Sequence, residues 1–151
     1  MGKVWFVSGT DTDVGKTVAT GWLAAKWIHQ GYETITQKLI QTGSKEGSPD
    51  IRLHRELMQK EFPEDQEGLT APEVFTYPAS PHMASQIDSR EIDFEKILKA
   101  TATLSERYER VLVEGAGGLM VPLTPKLLTI DFVAQQQWPV IFVTSGKLGR
   151  I

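Results

Sequence analysis

The chain has 151 residues, 40% of them apolar and 23% charged, with a formal net charge of −3. These are the proportions of an ordinary soluble protein long enough for one domain with a sizeable core, and neither the charge nor any Lys/Arg run suggests a nucleic-acid surface. The absence of cysteine excludes disulfides, thiolate metal sites and a cysteine nucleophile. The apolar runs are too short to span a bilayer and the N-terminus lacks a secretory pattern, so a cytoplasmic protein without membrane partners is expected.

In chain order, Lys3 to Ser8 reads as a short buried strand with a continuous β-prone run. Gly9-Thr10-Asp11-Thr12-Asp13-Val14-Gly15-Lys16-Thr17 follows. A strand, then a glycine-bounded loop ending in Gly-Lys-Thr, then a helix is the layout of a phosphate-binding P-loop. A loop entering a helix offers unpaired backbone N–H groups and the positive end of the helix dipole. Lys16 adds a full charge for the outer phosphates, and Thr17 a hydroxyl for Mg²⁺. The first glycine is Gly9, not position 10, so this loop is one residue longer than the common form.

Residues 15–30 have helical periodicity, with Val18, Trp22, Ala25 and Ile28 as the predicted apolar stripe and Gly31 as terminator. Residues 32–40 predict a second strand, 41–49 a polar loop, and 50–61 a charged helix with Ile51, Leu53, Leu57 and Met58 as its apolar positions. Residues 63–72 read as irregular, 74–77 as a short β-prone run and 83–87 as a short helix. A longer helix is predicted over 93–108, capped by Asp93. Arg110 to Glu114 is a strand running into a tight Gly115-Ala116-Gly117-Gly118 loop. A helix over 129–137 and a strand over 140–143 complete the pattern. Alternating strands and helices predict an α/β fold, a P-loop NTPase-like parallel sheet with helices on both faces, within one domain over 1–151. No helix follows the last strand, which implies that one face of it is covered by further chain or by a partner subunit.

Ligands of open α/β sheets bind at the carboxyl ends of the strands, and four groups fall there: residues 9–17, Lys38, Glu114 and the segment 145–149. Lys38 is either a second cation beside the phosphates or an edge-strand lysine in solvent. Glu114, after Val111-Leu112-Val113, is either an acid completing a Mg²⁺ site or a carboxylate capping a loop. Asp50 is equally balanced between metal ligand and helix N-cap. Asp13, an acid within a phosphate cradle, needs a task such as pairing with an amine. His29, His54 and His82 lack metal-ligand spacing; His54 reads as a solvated helix position and His82 as a loop residue able to line a site.

Taken together, Gly-Thr-Asp-Thr-Asp-Val-Gly-Lys-Thr at 9–17, Lys38 with Thr42-Gly43, Ser80-Pro81-His82, Glu114-Gly115-Ala116-Gly117-Gly118 and Lys147-Leu148-Gly149 resemble dethiobiotin synthetase. The resemblance spans the whole chain but only the N-terminal part of the family's length; the C-terminal part, with the nucleotide-base pocket, is missing. It implies an ATP- and Mg²⁺-dependent ligase of biotin synthesis that converts 7,8-diaminononanoate and CO₂ into dethiobiotin. It implies catalytic roles for Thr12, Asp13, Lys16 and Lys38, and nucleotide contacts from Asp13 to Val18 (with Val14, Gly15 and Thr17) and at Glu114, Gly115, Gly117 and Gly118. It further implies Mg²⁺ on Thr17, Asp50 and Glu114, and substrate contacts at Thr42, Lys147, Leu148 and Gly149 in a homodimer. Lys38-Leu39 stands where the family usually has Lys-Pro, and Asp13 where Glu is common. Two other readings compete: a P-loop ATPase switch of the cell-division or partitioning type, and a non-catalytic nucleotide-binding fragment. The switch type carries an extra lysine early in the loop, and residues 9–14 contain none.

Overall fold

The computed structural model describes residues 1–10 and 15–146. The elements in order are β1 (Lys3–Gly9), α1 (Lys16–His29), β2 (Thr34–Lys38), α2 (Pro49–Met58), a 3₁₀ turn (Pro63–Asp65), α3 (Pro81–Ile87) and α4 (Phe94–Arg107). They continue with β3 (Arg110–Glu114), β4 (Pro122–Thr124), β5 (Leu127–Leu128), α5 (Thr129–Gln136) and β6 (Val140–Val143). Four strands form a parallel sheet in the order β2-β3-β1-β6, and β4 and β5 pair antiparallel as a small separate ribbon. The expected α/β architecture is therefore present. The run at 74–77 contributes only an isolated bridge between Gln41 and Val74.

Side chains alternate across a strand, so neighbours on β2 report which helix covers each face. Thr36 meets His54 and Arg55 of α2, whereas the Gln37 side-chain carbonyl accepts a hydrogen bond from Thr101 of α4 at 2.7 Å. The helices thus cover both faces. The core between them is built from Phe6, Val7, Ile35, Val111, Leu112 and Val113 of the sheet, with Ala24, Ile97, Leu104 and Phe132 from the helices. On the edge strand β6, Val140 and Phe142 are exposed while Ile141 and Val143 pack against the core.

The apolar stripe expected on α1 is buried only in part: Ala25 and Ile28 pack against the core. Val18 and Trp22 are exposed, and the buried positions are Lys16, Thr20, Gly21 and Ala24. The reason is crowding on two sides, because α1 packs against the sheet and also against α2. A methyl group on Gly21 would stand 2.8 Å from Leu57 Cδ1 and 3.2 Å from His54 Cα. Small residues therefore occupy the most buried positions, Leu23, Trp27 and Ile28 pack beside them against the core, and Trp22 is left outside under the Lys26 ammonium. Gly31 ends α1 as expected, with a positive φ of 96°. Asp93 caps α4 by accepting from the Lys96 amide at 3.0 Å.

Candidate active site

The register of the sheet brings the site together. Lys38 pairs with Glu114 across β2 and β3, and Glu114 pairs with Val7 across β3 and β1. Lys38 and Glu114 therefore end neighbouring strands side by side, at the edge where β1 gives way to residues 9–17. Helix α1 starts there from Gly15, whose φ of 93° is a conformation glycine adopts without strain. A cleft of about 340 Å³ opens at this edge, lined by Lys16, Thr17, Lys38, Thr42, Asp50, Ser80, Glu114 and Gly117, among others.

Glu114 is the hub. It is 1% exposed and saturated with donors. Its Oε2 accepts from the Lys38 ammonium and from the Thr17 hydroxyl, both at 2.9 Å, and its Oε1 lies 2.8 Å from His54 Nε2. Lys38, also buried, spends its three N–H bonds on Asp50 Oδ2 at 2.6 Å, Glu114 Oε2, and the Gly115 carbonyl at 3.2 Å. Burial alone would raise the Glu114 pKa. The His54 hydrogen bond and the Lys38 charge outweigh it and hold the carboxyl at about 2, fully ionised at neutral pH. Burial likewise pulls Lys38 down, but the charges of Glu114 and Asp50 prevail and raise it, so the ammonium stays charged.

Two carboxylates thus meet on the Lys38 ammonium, and the Thr17 hydroxyl joins them on Glu114 Oε2. Hard oxygen donors in that number suit Mg²⁺, which takes one or two carboxylates and completes its shell with water and phosphate oxygens. Among the described residues no group of three or more His, Cys, Asp or Glu side chains forms a site that would hold a metal alone. At the end of β1, Ser8 Oγ and Thr10 Oγ1 are buried without a hydrogen-bond partner, a cost proteins tolerate mainly at working sites.

Of the residues singled out from the sequence, Lys16, Thr17, Lys38, Thr42, Asp50, Glu114 and Gly117 line this cleft. Gly115 contributes its carbonyl to Lys38 and closes on Phe6, where a Cβ would lie 2.5 Å from the ring. Gly118 lies beside the Gly9 carbonyl. Val18 points outward and does not line the cleft. Thr12, Asp13 and Val14, and Lys147, Leu148 and Gly149, lie outside the described residues. The edge-strand alternative for Lys38 is corrected: β2 is indeed the edge, but the side chain turns inward onto Glu114. The cap alternative for Asp50 is corrected too. Ser48 caps α2, accepting from the Ile51 amide at 3.1 Å, which leaves the Asp50 carboxylate to Lys38.

Two histidines differ from expectation. His82 sits in the first turn of α3, which begins at Pro81, and lines a second cavity with Arg90 and Phe94. His54 is not solvated: it is fully buried between Thr36 and Glu114. The signal was present in α2. His54 is three residues after Ile51 and four before Met58, and these three are the buried positions of the helix. A polar residue in an apolar stripe is the mark of a buried side chain with partners.

Comparison with known proteins matches this architecture in two steps. Residues 3–151 match a family model described as an AAA domain, which defines the chain as a nucleotide-binding α/β protein of that class. The chain is 51% identical over 152 residues to ATP-dependent dethiobiotin synthetase BioD 2 of Pasteurella multocida (strain Pm70), an alignment covering all of this chain and 71% of that protein. It is 52% identical to the protein of the same name from Haemophilus influenzae, covering 80% of it, and 47% identical to dethiobiotin synthetase BioD of Chlorobaculum tepidum, covering 63%. The chain belongs to the ATP-dependent dethiobiotin synthetase family.

Proposed function

We propose that this chain carries the ATP- and Mg²⁺-dependent carboxylation and ring closure of 7,8-diaminononanoate to dethiobiotin, working as a homodimer in the cytoplasm. The observation that supports it most is the convergence of Thr17, Lys38 and Asp50 on and around Glu114 at the carboxyl ends of the strands, in a chain of this family. Among the described residues no helix is long and apolar enough to cross a membrane.

The reaction needs three bonds made in order. One amine adds to CO₂, losing a proton, to give a carbamate. A carbamate oxygen attacks the γ-phosphorus of ATP, and ADP leaves. The second amine attacks the carbamoyl carbon, phosphate leaves, and the ureido ring closes. Negative charge is handled at every step, and the cleft is built from cations and donors for that purpose. Lys16 and Lys38 stabilise charge on the phosphoryl group and the carbamate. Thr17, Asp50 and Glu114 are the residues that would hold Mg²⁺, which would supply positive charge to neutralise phosphate oxygens. Asp13, Val14, Gly15 and Val18 are assigned to nucleotide contacts, with Gly15 leading into α1 and Val18 contributing its backbone rather than its outward side chain, and Gly115, Gly117 and Gly118 let ligand approach bare backbone. Thr12 and Asp13 are assigned to the carbamate and amine, Thr42 to the substrate side of the cleft, and Lys147, Leu148 and Gly149 to the substrate carboxylate.

The test is ATP turnover and dethiobiotin formation by this chain with and without diamine and bicarbonate. Turnover that depends on the diamine is expected, and Lys16→Ala and Glu114→Ala should each abolish it. Equal ATP hydrolysis without diamine would replace this reading with that of an ATPase switch.

A further inference from the structure

His54 does not line the cleft, and no step of the reaction uses it, yet both of its ring nitrogens are committed. The direction of the hydrogen bonds can be followed from the far end. Arg55 grips Asp65 with a two-point fork, Nε to Oδ2 at 2.8 Å and Nη2 to Oδ1 at 2.7 Å. Its Nη1 donates to Thr36 Oγ1 at 2.9 Å. A guanidinium cannot accept, so the Thr36 oxygen accepts there, and the same hydroxyl lies 2.7 Å from His54 Nδ1. The other ring nitrogen, Nε2, lies 2.8 Å from Oε1 of the ionised Glu114 carboxylate, which can only accept, and this assigns a ring proton to Nε2.

We propose that His54 is the positioning residue of the metal site: its Nε2–H pins Oε1 of Glu114 inward and leaves Oε2, which takes the Lys38 ammonium and the Thr17 hydroxyl, as the one oxygen able to turn to an ion in the cleft. This rests on the reading of Glu114 as a Mg²⁺ ligand. The consequence concerns which ion fits. A carboxylate held by one oxygen can bind through the other only, which suits the strict octahedron of Mg²⁺. A carboxylate free to turn can chelate with both oxygens, which suits Ca²⁺. His54 therefore sets Mg²⁺ affinity and discrimination against Ca²⁺ without touching substrate. Gly21 serves the same end, because its missing side chain lets α2 come close enough for the imidazole to reach the carboxylate.

The experiment compares His54→Gln, whose amide N–H can take the place of Nε2–H, with His54→Asn, whose shorter amide reaches the Nδ1 position and leaves Oε1 without its donor. Two readouts are taken on the 151-residue chain: calorimetric titration of Mg²⁺ and Ca²⁺ in the presence of a non-hydrolysable ATP analogue, and the Mg²⁺ concentration for half-maximal turnover measured separately from kcat. His54→Asn should weaken Mg²⁺ by roughly ten- to a hundredfold, with Ca²⁺ affected less and kcat at saturating Mg²⁺ largely kept. His54→Gln should stay close to wild type. Equal losses in both variants would make His54 a packing residue, and an unchanged Mg²⁺ affinity in a folded His54→Asn would overturn the proposal outright. If His54→Asn does not fold, Thr36→Val, which removes only the hydroxyl that orients the ring, should weaken Mg²⁺ in the same direction by a smaller factor; no weakening there counts against the proposal. If wild type shows no diamine-dependent turnover, the reaction assignment fails, and the metal titration still decides the role of His54.

Discussion

Replacing Glu114 by Gln tests the electrostatic account of the site before any chemistry is involved. The substitution keeps the volume and removes the charge that faces Lys38 at 2.9 Å. At an effective dielectric of about 20, such a contact is worth about 4 to 6 kcal/mol of attraction, largely offset in the folded protein by the cost of burying both ions. The fall of the carboxyl from an ordinary 4.5 to about 2, which gathers burial, the His54 hydrogen bond and the Lys38 charge, corresponds to about 3 kcal/mol favouring the ionised folded form. Removing the Glu114 charge leaves Lys38 buried with Asp50 as its remaining counter-charge, so the loss falls at the lower end of the about 3 to 5 kcal/mol that breaking a buried pair costs. Glu114→Gln should therefore lose about 3 kcal/mol in urea unfolding at pH 7, followed by the fluorescence of Trp5, Trp27 and Trp138, which pack on the core. The pH dependence has a fixed sign. Because the folded pKa is depressed, the stabilisation is complete above 4.5, and it is lost as pH falls from 4.5 through about 2. Wild type and variant should converge over that window. The decisive comparison adds Lys38→Met and the double variant. The double loss should be smaller than the sum of the single losses by about 2 kcal/mol or more, and additivity within about 0.5 kcal/mol would refute the pairing as the source of the effect.

Further expectations concern the scaffold. Gly21→Val should destabilise the chain by about 2 kcal/mol in the same urea assay and weaken turnover, because the new side chain meets Leu57 and the His54 backbone and drives α1 from α2; unchanged stability would show that the two helices are free to part. Ser48→Ala should cost more than Asp93→Ala. Each removes a helix cap worth about 1 kcal/mol, but Ser48 is buried and also donates to Gln41 Oε1 at 2.6 Å, leaving that oxygen unpaired; thermal unfolding of the two variants ranks them. Glu64 is held below the usual carboxylate range: burial raises it, but hydrogen bonds from Tyr108 and Arg107 prevail. Glu64→Gln should therefore narrow its stability gap from wild type as pH falls below 4.5, and a gap that widened in acid would contradict the assignment.

The strands were legible because a buried parallel strand is an uninterrupted apolar run, and 4–7, 111–113 and 140–143 are such runs. Their order was not. Nothing local says that β3 inserts between β1 and β2, because that choice is made by packing between segments far apart in the chain. The most buried positions of α1 fall beside the expected stripe for a related reason. Periodicity finds the side with large apolar residues, and a helix wedged between a sheet and a second helix needs small ones where it is most buried.

The site shows how far the strand-end rule reaches and where pairing must take over. Lys16, Thr17, Lys38 and Glu114 could each be placed at a carboxyl edge from the sequence alone. What no spacing could show is that Lys38 and Glu114, 76 residues apart, face each other in register. Once they do, the remaining ambiguities resolve in sequence. The Lys38 ammonium needs a third acceptor beyond Glu114 and the Gly115 carbonyl, and Asp50 supplies it because Ser48 has taken over the cap of α2. That cap fixes the start of α2, and one turn later the helix carries His54 to the free oxygen of Glu114. A single serine at the helix start thus places both Asp50 on Lys38 and His54 on Glu114, the two outer partners of the same buried pair.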